Sequence, residues 1–422
     1  MTKIKNGLIL AGGDSTRFWP LGEKNIFSFL GKPLIFYQLE QLSQHCENIT
    51  IVTSITNAVA INGLVKKSSL KTKCQVINQK DIPGQAGAIL SAKNLVKGET
   101  LIVNANDIIN YSILDGLIKP SPPKDTIILF GKKLSKYFPG GYFKFDNKNK
   151  IIEIIEKPVK DKMPSSIYNL VVHYYSNIES LIKAIESIKN VGDNRYELAI
   201  NQLLGSSINR DYFIYEDYWQ SLRYPWHVLA MMRWFLANIK NNQIASSTQI
   251  SKKALIIGPV MIADNVKIGD FVKIVGPTYI GKNSIVGDYS LIRESQIGEN
   301  CLIGSFTEAA RSYISDKVLL HRNYVGDSVL DEGAMMGAQA ATANFRFNGR
   351  PISSKISGVK VNTGLVKFGA IVGRQSKIGV NSTLLPGVKI GKKTYIGPGE
   401  VVDSDIKDNK FFFKGEKTEN NL

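Results

Sequence analysis

Residues 8–24, LILAGGDSTRFWPLGEK, combine an apolar strand with a glycine-rich loop that carries two cations. Gly12 and Gly13 have no Cβ, so the backbone can turn tightly there and bring its N–H groups against an anion. Arg17 and Lys24 can neutralise a polyphosphate from two directions. No GKS or GKT closes the loop, which excludes a Walker-type phosphate loop. The spacing predicts a site for nucleotide phosphates, with a solvated basic turn after a strand as the alternative.

The composition indicates a globular protein of two domains. The chain has 422 residues, of which 43% are apolar, enough for two cores of ordinary size. It contains neither a run of about 20 uncharged apolar residues nor a charged leader ending in small residues, so we expect a cytoplasmic protein without a membrane span. Cys46, Cys74 and Cys301 are far apart and lack the spacing of a metal knuckle or a disulfide scaffold.

The net charge of +17 comes from 53 basic and 36 acidic side chains. A strongly basic chain can be a binder of nucleic acid or of membrane surfaces. The lysines here are spread along the whole sequence rather than massed with aromatic residues, which favours a solvated basic surface. We therefore expect no nucleic-acid or membrane partner. The same electrostatic field favours phosphorylated small substrates.

From about residue 250 the sequence repeats an aliphatic side chain every six residues, a period that neither a helix nor a strand gives. Glycine follows several of these positions, as at Gly269 and Gly281. Such a hexapeptide repeat is typical of a parallel β-helix, and we predict a left-handed one over residues 252–405, followed by a tail at 406–422. Two runs carry the repeat, with one shortened step in the first: Ile256, Ile262, Ile268, Ile274, Ile280, Val286, Ile292, Ile297 and Ile303, then Val366, Val372, Ile378, Leu384, Ile390, Ile396 and Val402.

Residues 338–365 interrupt the repeat and are expected to form a loop outside the coil, where binding groups often lie. The first 240 residues alternate short aliphatic strands with helical stretches. This alternation predicts an α/β domain with a mostly parallel sheet and helices on both of its faces. The ligand should lie at the carboxyl ends of the strands, where the glycine-rich loop begins. Residues 241–251 are the expected linker.

The first 240 residues resemble the sugar-1-phosphate nucleotidylyltransferase family. Residues 8–24 match the family signature LAxGxGTRxxPL…PK, and the similarity continues through PGQAGAI at 83–89, NAND at 104–107, GGYFKFD at 140–146, IIEKP at 154–158 and YPWHVL at 224–229. The resemblance implies a Rossmann-like nucleotidyltransferase domain over residues 1–240, with a mixed sheet dominated by parallel strands. It also implies the reaction, in which a sugar-1-phosphate oxygen attacks the α-phosphorus of a nucleoside triphosphate and pyrophosphate is released.

The resemblance assigns roles to particular residues of this chain. Arg17 would hold the leaving pyrophosphate, Lys24 would bridge the reacting phosphates, and Asp107, after the apolar strand TLIVN, would bind Mg²⁺. A turn-capping carboxylate is the alternative for Asp107, and a strand-end amide is the alternative for Asn169. The residues implied in nucleotide binding are Leu10, Ala11, Gly12, Gly13, Gln79, Gln85 and Gly87, and those implied in binding the sugar and its phosphate are Gly141, Glu156, Lys157 and Asn169.

Three positions of the first half depart from the family pattern. Ser15 stands where the family usually has glycine, and Glu23 precedes the lysine where proline is usual. In WQSLRYPW, residues 219–226, Ser221 replaces an aspartate that binds metal in the family. A site with one carboxylate binds Mg²⁺ less tightly and depends on substrate phosphates to complete the coordination. The departures leave slow turnover, or binding without reaction, as alternatives.

The second half resembles the acetyltransferase part of bifunctional uridylyltransferase/acetyltransferases acting on N-acetylglucosamine-1-phosphate, especially their archaeal versions. The resemblance rests on HRNYVGD at 321–327 and GAQAATANFRFNG at 337–349. It implies that His321 is the general base that takes a proton from an attacking amine. It also implies that Tyr324 contacts the sugar phosphate and that Asn344 helps to form an acetyl-CoA cleft. The similarity of the coil to hexapeptide-repeat acyltransferases implies a homotrimer.

The acetyltransferase pattern is incomplete. Met335 stands where the family has asparagine, Gln339 replaces a glycine, and Arg311 is the basic residue where a lysine is expected. A β-helix that serves only to form the trimer is therefore an alternative. For the first half, the leading prediction is transfer from UTP to N-acetylglucosamine-1-phosphate. The alternatives are a mannose-1-phosphate guanylyltransferase, which RFWPL resembles, and a non-catalytic relative that binds a nucleotide sugar.

Overall fold

The chain forms two compact units. The computed structural model describes residues 3–80, 82–116, 122–189, 192 and 194–420. One unit comprises Met1–Asp14 and Leu34–Trp219, and the other comprises Ser15–Pro33 and Gln220–Leu422. The division therefore falls inside the glycine-rich loop. Within the described residues, no helix is both long enough and apolar enough to cross a membrane.

A nine-stranded mixed sheet forms the centre of the first unit. Its parallel neighbours are, in spatial order, Cys74–Asn78, Cys46–Thr53, Ile4–Ala11 and Thr100–Asn104. Ile167–Tyr175 pairs antiparallel with the last of these. It extends the sheet toward Gly141–Phe145, Ile151–Glu156, Thr126–Lys133 and Asn209–Ile214. The predicted α/β domain with a mixed sheet is confirmed.

Helices connect several of the strands of this sheet. Those that the structure describes are α1 (Leu34–His45), α2 (Ile55–Lys67), α3 (Gly84–Ser91), α4 (Ile178–Ser187) and α5 (Arg195–Leu204). The α4 helix shows why such segments fold, because Leu181, Ile182 and Ile185 give it one buried apolar face. Asn177 caps its N-terminus by accepting a hydrogen bond from the Glu179 N–H at 3.2 Å. Side chains of α3, α4 and α5 share one core with the sheet.

The parallel strands of the first unit end at one edge of the sheet. Ala11 lies opposite Thr53, and Thr53 lies opposite Asn78. The three inner strands are mostly buried, as expected for strands covered on both faces. Gly12 and Gln79, which follow two of these strands, therefore emerge at the same edge.

The second unit is built on a parallel β-helix of three sheets. Aliphatic side chains stack in its interior, since Ile262 lies opposite Ile280 and Ile280 lies opposite Ile297 in adjacent coils. All three side chains are buried. Each residue of such a stack removes its neighbours from water, so the repeat itself stabilises the coil. The predicted hexapeptide β-helix is confirmed.

Each sheet of the β-helix contains short strands from successive coils. The first sheet consists of Gln243–Ile244, Val260–Ile262, Thr278–Ile280, Gln296–Ile297, Tyr313–Ile314, Val329–Leu330, Ile371–Val372 and Lys389–Ile390. The second consists of Gln249–Ile250, Lys267–Ile268, Ile285–Val286, Leu302–Ile303, Leu319–Leu320, Met335–Met336, Lys377–Ile378, Tyr395–Ile396, Lys410–Phe413 and Glu416–Glu419. The third consists of Leu255–Ile257, Lys273–Val275, Leu291–Arg293, Glu308–Ala310, Tyr324–Gly326, Ala341–Thr342, Thr383–Leu384 and Val401–Val402.

The remaining elements are short. In the second unit they are α6 (His227–Ala237), the hairpin of Ser28–Phe29 with Lys32–Pro33, and the hairpin of Ser353–Ile356 with Val359–Asn362. The second hairpin lies in the predicted excursion from the coil. Two further short strands are Asp107–Ile108 in the first unit and Gln220–Ser221 in the second.

The coil runs further than the six-residue spacing shows. Hydrogen-bonded residues of adjacent coils are 18 apart at Asp270 and Asp288, and only 16 apart at Ser312 and Ser328. Five-residue steps have replaced some six-residue steps in the shorter coils. The interior therefore continues between the two predicted runs, through Ala309, Ile314, Leu320, Val325, Leu330 and Met336.

The structure differs from the expected boundaries of the β-helix. Residues 241–251, expected as a linker, contain the first strands of two sheets, Gln243–Ile244 and Gln249–Ile250. Residues 406–422, expected as a tail, contain Lys410–Phe413, which continues the second sheet. Both segments belong to the β-helix because they pair with an adjacent coil. A strand of two to four residues carries no local sequence pattern that would reveal such pairing.

One repeat position also differs from the expectation. Val366 was assigned to the interior stack, but its side chain is 42% exposed. The first sheet resumes only at Ile371, which lies opposite Val329. Val366 therefore belongs to the excursion that precedes the coil, and its six-residue spacing from Val372 does not place it inside.

Ile314→Ala should lower the free energy of unfolding by about 2–5 kcal/mol, because it leaves a cavity in a fully buried stack. Ile285→Ala is the matched control. That side chain is 43% exposed, so we expect a change of about 0.5 kcal/mol or less. Urea unfolding followed by circular dichroism measures both variants. Equal losses would contradict the interior position of Ile314.

Candidate active site

Gln79 is the centre of the predicted nucleotide site in the first unit. Its backbone N–H donates to Thr53 O at 2.7 Å, and its Nε2 donates to Ile82 O at 2.7 Å. A Cβ added at Gly12 would overlap Gln79 Oε1, and one added at Gly87 would overlap Ile82 O. The structure thus brings together Gly12, Gln79 and Gly87, which we call the nucleotide cradle. Glycine suits both positions because neighbouring atoms lie where a Cβ would be.

The other residues predicted to bind nucleotide differ in their exposure. Leu10 and Ala11 end a central strand and are buried, and Ala11 O accepts a hydrogen bond from Asn57 Nδ2 at 2.9 Å. Gly13 is exposed. Gln85, in the first turn of α3, donates through Nε2 to Asn104 Oδ1 at 3.2 Å. Gln85 is therefore tied to the end of a neighbouring strand.

Asp107 is the residue predicted to bind metal, and it is buried in the first unit. Trp219 Nε1 donates to Asp107 Oδ2 at 3.1 Å, and Asn106 Nδ2 donates to Asp107 Oδ1 at 3.4 Å. The Trp219 ring packs against Tyr168, with ring centroids 5.0 Å apart. Within the described ranges, no group of three or more His, Cys, Asp or Glu side chains could hold a metal ion. A Mg²⁺ ion at Asp107 would therefore need further oxygen ligands, which the phosphates of a substrate can supply.

Ser221, which the resemblance predicts to replace a metal-binding aspartate, lies in the second unit. The residue is buried, and its carbonyl oxygen accepts a hydrogen bond from His227 Nδ1 at 2.9 Å. Burial lowers the pKa of His227 to about 4, so this ring is neutral at pH 7. A serine side chain offers a metal ion a neutral oxygen and no negative charge.

The residues predicted to bind the sugar and its phosphate lie together in the first unit. A Cβ added at Gly141 would lie 3.3 Å from Glu156 Oε2 and 3.5 Å from Asn169 Cβ. Lys157 Nζ lies 3.1 Å from Glu156 Oε1. We call Gly141, Glu156, Lys157 and Asn169 the sugar-phosphate cluster. It contains a carboxylate, an ammonium and an amide, groups that can bind the hydroxyls and phosphate of a sugar phosphate.

Asn169 is held by a buried polar network that the sequence reasoning missed. His173 Nε2 lies 2.9 Å from Asn169 Oδ1, and His173 Nδ1 lies 2.7 Å from the Tyr196 hydroxyl. Burial lowers the pKa of His173 to about 3, so the ring is neutral. Because Asn169 Oδ1 can only accept, Nε2 carries the proton and Nδ1 accepts from Tyr196. The NH₂ group of Asn169 is therefore the donor that it can offer to a ligand. In the sequence, the one sign of this network was the histidine within the apolar strand Ile167–Tyr175.

The loop residues from Ser15 onward lie in the second unit. Arg17 is exposed and Lys24 is half-buried. Ser15 Oγ donates to Glu23 Oε2 at 3.0 Å and accepts from the Lys24 backbone N–H at 3.4 Å. Glu23 Oε1 accepts from the Asn25 N–H at 3.2 Å. The two loop positions that depart from the family pattern are therefore hydrogen-bonded to each other, and together they close the loop on the backbone of Lys24.

In the β-helix, Tyr324 and Asn344 come together beside Gly326. A Cβ added at Gly326 would lie 2.6 Å from Asn344 Nδ2 and 2.7 Å from the Tyr324 hydroxyl. Asn344 Nδ2 donates to Asp327 Oδ2 at 2.6 Å, and Arg311 pairs with the same carboxylate at 2.7 Å. Arg311 and Asp327 are nearly buried, so this bidentate pair fixes the base of the excursion.

His321 is exposed at the turn between Leu319–Leu320 and Tyr324–Gly326. Its backbone N–H donates to the Asn323 side chain, which is buried and shapes the turn. The predicted acetyltransferase residues thus lie in the turn before Tyr324–Gly326, on that strand, and two residues after the strand Ala341–Thr342 of the next coil.

The comparisons with known proteins agree with both halves of the chain. Residues 6–222 match the Nucleotidyl transferase family model, and residues 259–294 match Bacterial transferase hexapeptide (six repeats). The chain is 31% identical over 432 aligned residues to "Bifunctional protein GlmU" of Methanococcus vannielii, with 98% of each chain covered. It is 33% identical over 416 residues to "Bifunctional sugar-1-phosphate nucleotidylyltransferase/acetyltransferase" of Sulfurisphaera tokodaii, with 96% of this chain and 98% of the relative covered.

The chain belongs to this bifunctional nucleotidylyltransferase/acetyltransferase family. The similarity spans both units, so the order of the two halves is that of the relatives. Members of the family are transferases, and this chain is an enzyme of that class. The nucleotidylyltransferase half contains the nucleotide cradle, Asp107 and the sugar-phosphate cluster, and the hexapeptide half contains His321, Tyr324 and Asn344.

Gly87→Ala should weaken nucleotide binding more than Gly12→Ala. The Cβ at residue 87 would meet a backbone carbonyl, whereas the Cβ at residue 12 would meet a side chain that can rotate away. Overpacking of this kind costs about 1–3 kcal/mol, which corresponds to a rise of about 5- to 150-fold in the dissociation constant of the nucleotide if the strain falls on the bound state. Calorimetric titration with nucleoside triphosphate measures this dissociation constant in both variants.

Gly63→Ala is the control for these two variants. In α2 nothing lies within 4 Å of a Cβ at residue 63, so we expect unchanged affinity and slightly higher stability. Equal nucleotide affinity in Gly87→Ala and Gly63→Ala would contradict the cradle.

Proposed function

We propose that this chain transfers a uridylyl group from UTP to N-acetylglucosamine-1-phosphate and releases pyrophosphate. The observation that carries the proposal is the presence, in one compact unit, of the nucleotide cradle, the carboxylate of Asp107 and the sugar-phosphate cluster. The whole-length similarity to relatives named as bifunctional nucleotidylyltransferase/acetyltransferases supports the choice of reaction.

The reaction needs positioning and charge neutralisation more than proton transfer. An oxygen of the sugar-1-phosphate is already an anion, so it attacks the α-phosphorus without a general base. The bond from the α-phosphorus to the β-phosphate oxygen breaks, and its electron pair leaves with pyrophosphate. In the proposal, Arg17 holds the pyrophosphate and Lys24 neutralises charge that builds on the reacting phosphates.

The proposal includes Mg²⁺, held by Asp107 together with substrate phosphates. The ion, when bound, supplies further neutralisation of phosphate charge. Ser221 contributes no second carboxylate, so we expect weaker metal binding than in a site with two carboxylates. Asn169 donates its NH₂ group to an acceptor oxygen of the sugar, because His173 occupies its carbonyl oxygen.

The test is pyrophosphate release with Mg²⁺, each nucleoside triphosphate and a panel of sugar-1-phosphates. We expect the fastest release with UTP and N-acetylglucosamine-1-phosphate. Release that is fastest with GTP and mannose-1-phosphate would favour the guanylyltransferase alternative. Binding of a nucleotide sugar with no release from any pair would favour the non-catalytic alternative.

Lys24→Ala should lower kcat by about 10²–10³-fold, because it removes charge that acts on the transition state. The melting temperature should stay close to that of the parent protein. Lys5→Ala is the matched control, since Lys5 is an exposed lysine of a central strand. A variant at residue 24 that is as fast as the Lys5→Ala control would contradict the phosphate role.

A second activity is proposed for the β-helix, namely acetyl transfer from acetyl-CoA to the amine of glucosamine-1-phosphate. The observation that favours it is the grouping of Tyr324, Asn344 and Asp327 next to the turn that carries His321. The amine nitrogen attacks the thioester carbonyl, His321 takes the amine proton, and CoA leaves as the thiolate. We also propose a homotrimer formed through the β-helix, as the family resemblance implies, and a cytoplasmic location.

His321→Ala should lower the rate of free CoA formation by about 10²–10⁴-fold, the usual contribution of a general base. Pyrophosphate release by the same preparation should not change, which shows that the variant is folded. Thiol titration of CoA formed from acetyl-CoA and glucosamine-1-phosphate measures the rate. Undiminished CoA formation in the variant would mean that another group is the base. If the parent protein itself forms no CoA, the purely structural alternative for the β-helix is favoured.

A further inference from the structure

The segment 15–33 lies in the same compact unit as the β-helix and is attached to its first sheet. The Tyr313 hydroxyl donates to Ser28 O at 2.5 Å, and Gln296 Nε2 donates to the same oxygen at 3.1 Å. Both side chains are almost completely buried. The backbone that follows Lys24 is therefore fixed on the β-helix.

Aromatic rings extend this attachment on both sides of Lys24. The Phe27 ring stacks on Tyr313 with centroids 4.8 Å apart, and the Phe18 ring meets Phe27 edge-on at 5.5 Å. Phe29 stacks on Phe235 of α6 at 5.1 Å. Ring pairs of these geometries attract each other beyond the effect of the area they bury. The residues before and after Lys24 therefore share one packed cluster with the β-helix.

Trp19, two residues after Arg17, is held by charged side chains from the last coils. Its Nε1 donates to Asp408 Oδ1 at 2.8 Å. Lys389 Nζ lies 4.8 Å from the centre of the indole ring, and the Lys389 side chain is only 3% exposed. A desolvated cation over an indole face is held more strongly than one in water. Both the polar edge and the face of Trp19 are thus committed to the β-helix.

We propose that Asp408 and Lys389 are positioning residues for nucleotidyl transfer, because they hold Trp19 and thereby fix the backbone that carries Arg17 and Lys24. The inference rests on the proposed function of these two cations. A displacement of about 1 Å in a reacting arrangement can cost about 10²-fold in rate. Side chains that keep the loop in one conformation prevent such displacement. In this proposal, residues of the β-helix act on the reaction only through the segment 15–33 of their own unit.

Five variants of the whole chain test this role. Trp19→Phe removes the Nε1 donor and keeps an aromatic ring, and Asp408→Ala removes the acceptor. Asp408→Asn keeps an acceptor oxygen and is the conservative rescue. Lys389→Met removes the charge, and with it the ion pair to Asp405 Oδ2 at 3.4 Å, and keeps the apolar stem. Lys377→Met is the matched control, since Lys377 Nζ lies 4.7 Å from the Tyr395 ring elsewhere on the β-helix.

We expect kcat for pyrophosphate release to fall by about 10- to 100-fold in Trp19→Phe, Asp408→Ala and Lys389→Met. The KM for the sugar-1-phosphate should change little, because the sugar-phosphate cluster is untouched. Asp408→Asn and Lys377→Met should keep the parent kcat. Asp408 Oδ1 also accepts from the Lys392 backbone N–H at 2.9 Å, so Asp408→Ala removes two hydrogen bonds, one of which is the bond that Trp19→Phe removes. The double variant Trp19→Phe/Asp408→Ala should therefore be no slower than Asp408→Ala, whereas additive losses would show that the two residues act separately and would overturn the inference.

Unchanged kcat in Trp19→Phe and Lys389→Met would overturn the inference and leave the proposed function intact. If the parent chain releases no pyrophosphate, calorimetric titration with pyrophosphate alone gives the second readout. Weaker binding by Trp19→Phe than by the parent supports the inference, and equal binding overturns it. A parent chain that neither turns over nor binds pyrophosphate overturns the proposed function and the inference together.

Discussion

Close backbone packing at the ends of the parallel strands is the constraint on which the nucleotide site depends. Gln79 is hydrogen-bonded to Thr53 O through its backbone and to Ile82 O through its side chain. A Cβ at Gly87 would overlap the backbone oxygen of Ile82, and a Cβ at Gly12 would overlap the Gln79 side chain unless that side chain rotated away. Rigid backbone of this kind can approach a nucleotide without reorganising for it.

The second constraint is the attachment of the cationic loop to the β-helix. The chain leaves the first unit after Asp14, and the residues that follow are packed with Tyr313, Gln296 and Asp408. Ser15 and Glu23 close the loop on itself. The departures from the family pattern are therefore accommodated by a mutual hydrogen bond.

Periodic features of the fold could be predicted from the sequence, and long-range pairing could not. A six-residue aliphatic period has one structural solution, and the β-helix is confirmed. The shortened coils around Ile314 were missed because five-residue steps and small interior residues such as Ala309 break the period. The first and last coils were missed because a strand such as Gln243–Ile244 shows its role only when it is paired.

In the candidate site too, local motifs could be predicted from the sequence and long-range contacts could not. Glycines and charged residues in local motifs could be found from the sequence, because the motif itself specifies their chemistry. His173 could not be assigned, because its role depends on a hydroxyl from α5 and on burial. The contact of Trp19 with Asp408 joins residues 389 apart, and no local pattern indicates it. The structure therefore identifies the residues that position other residues, which the sequence alone did not reveal.

The central claim is that a nucleotide sugar forms by attack on the α-phosphorus. The most direct measurement uses two samples of UTP, one labelled at the α-phosphorus and one at the γ-phosphorus, with N-acetylglucosamine-1-phosphate and Mg²⁺. The account predicts that the α-label appears in the nucleotide sugar and the γ-label in pyrophosphate. Recovery of the α-label in pyrophosphate or in free nucleotide, with no labelled nucleotide sugar, would contradict it.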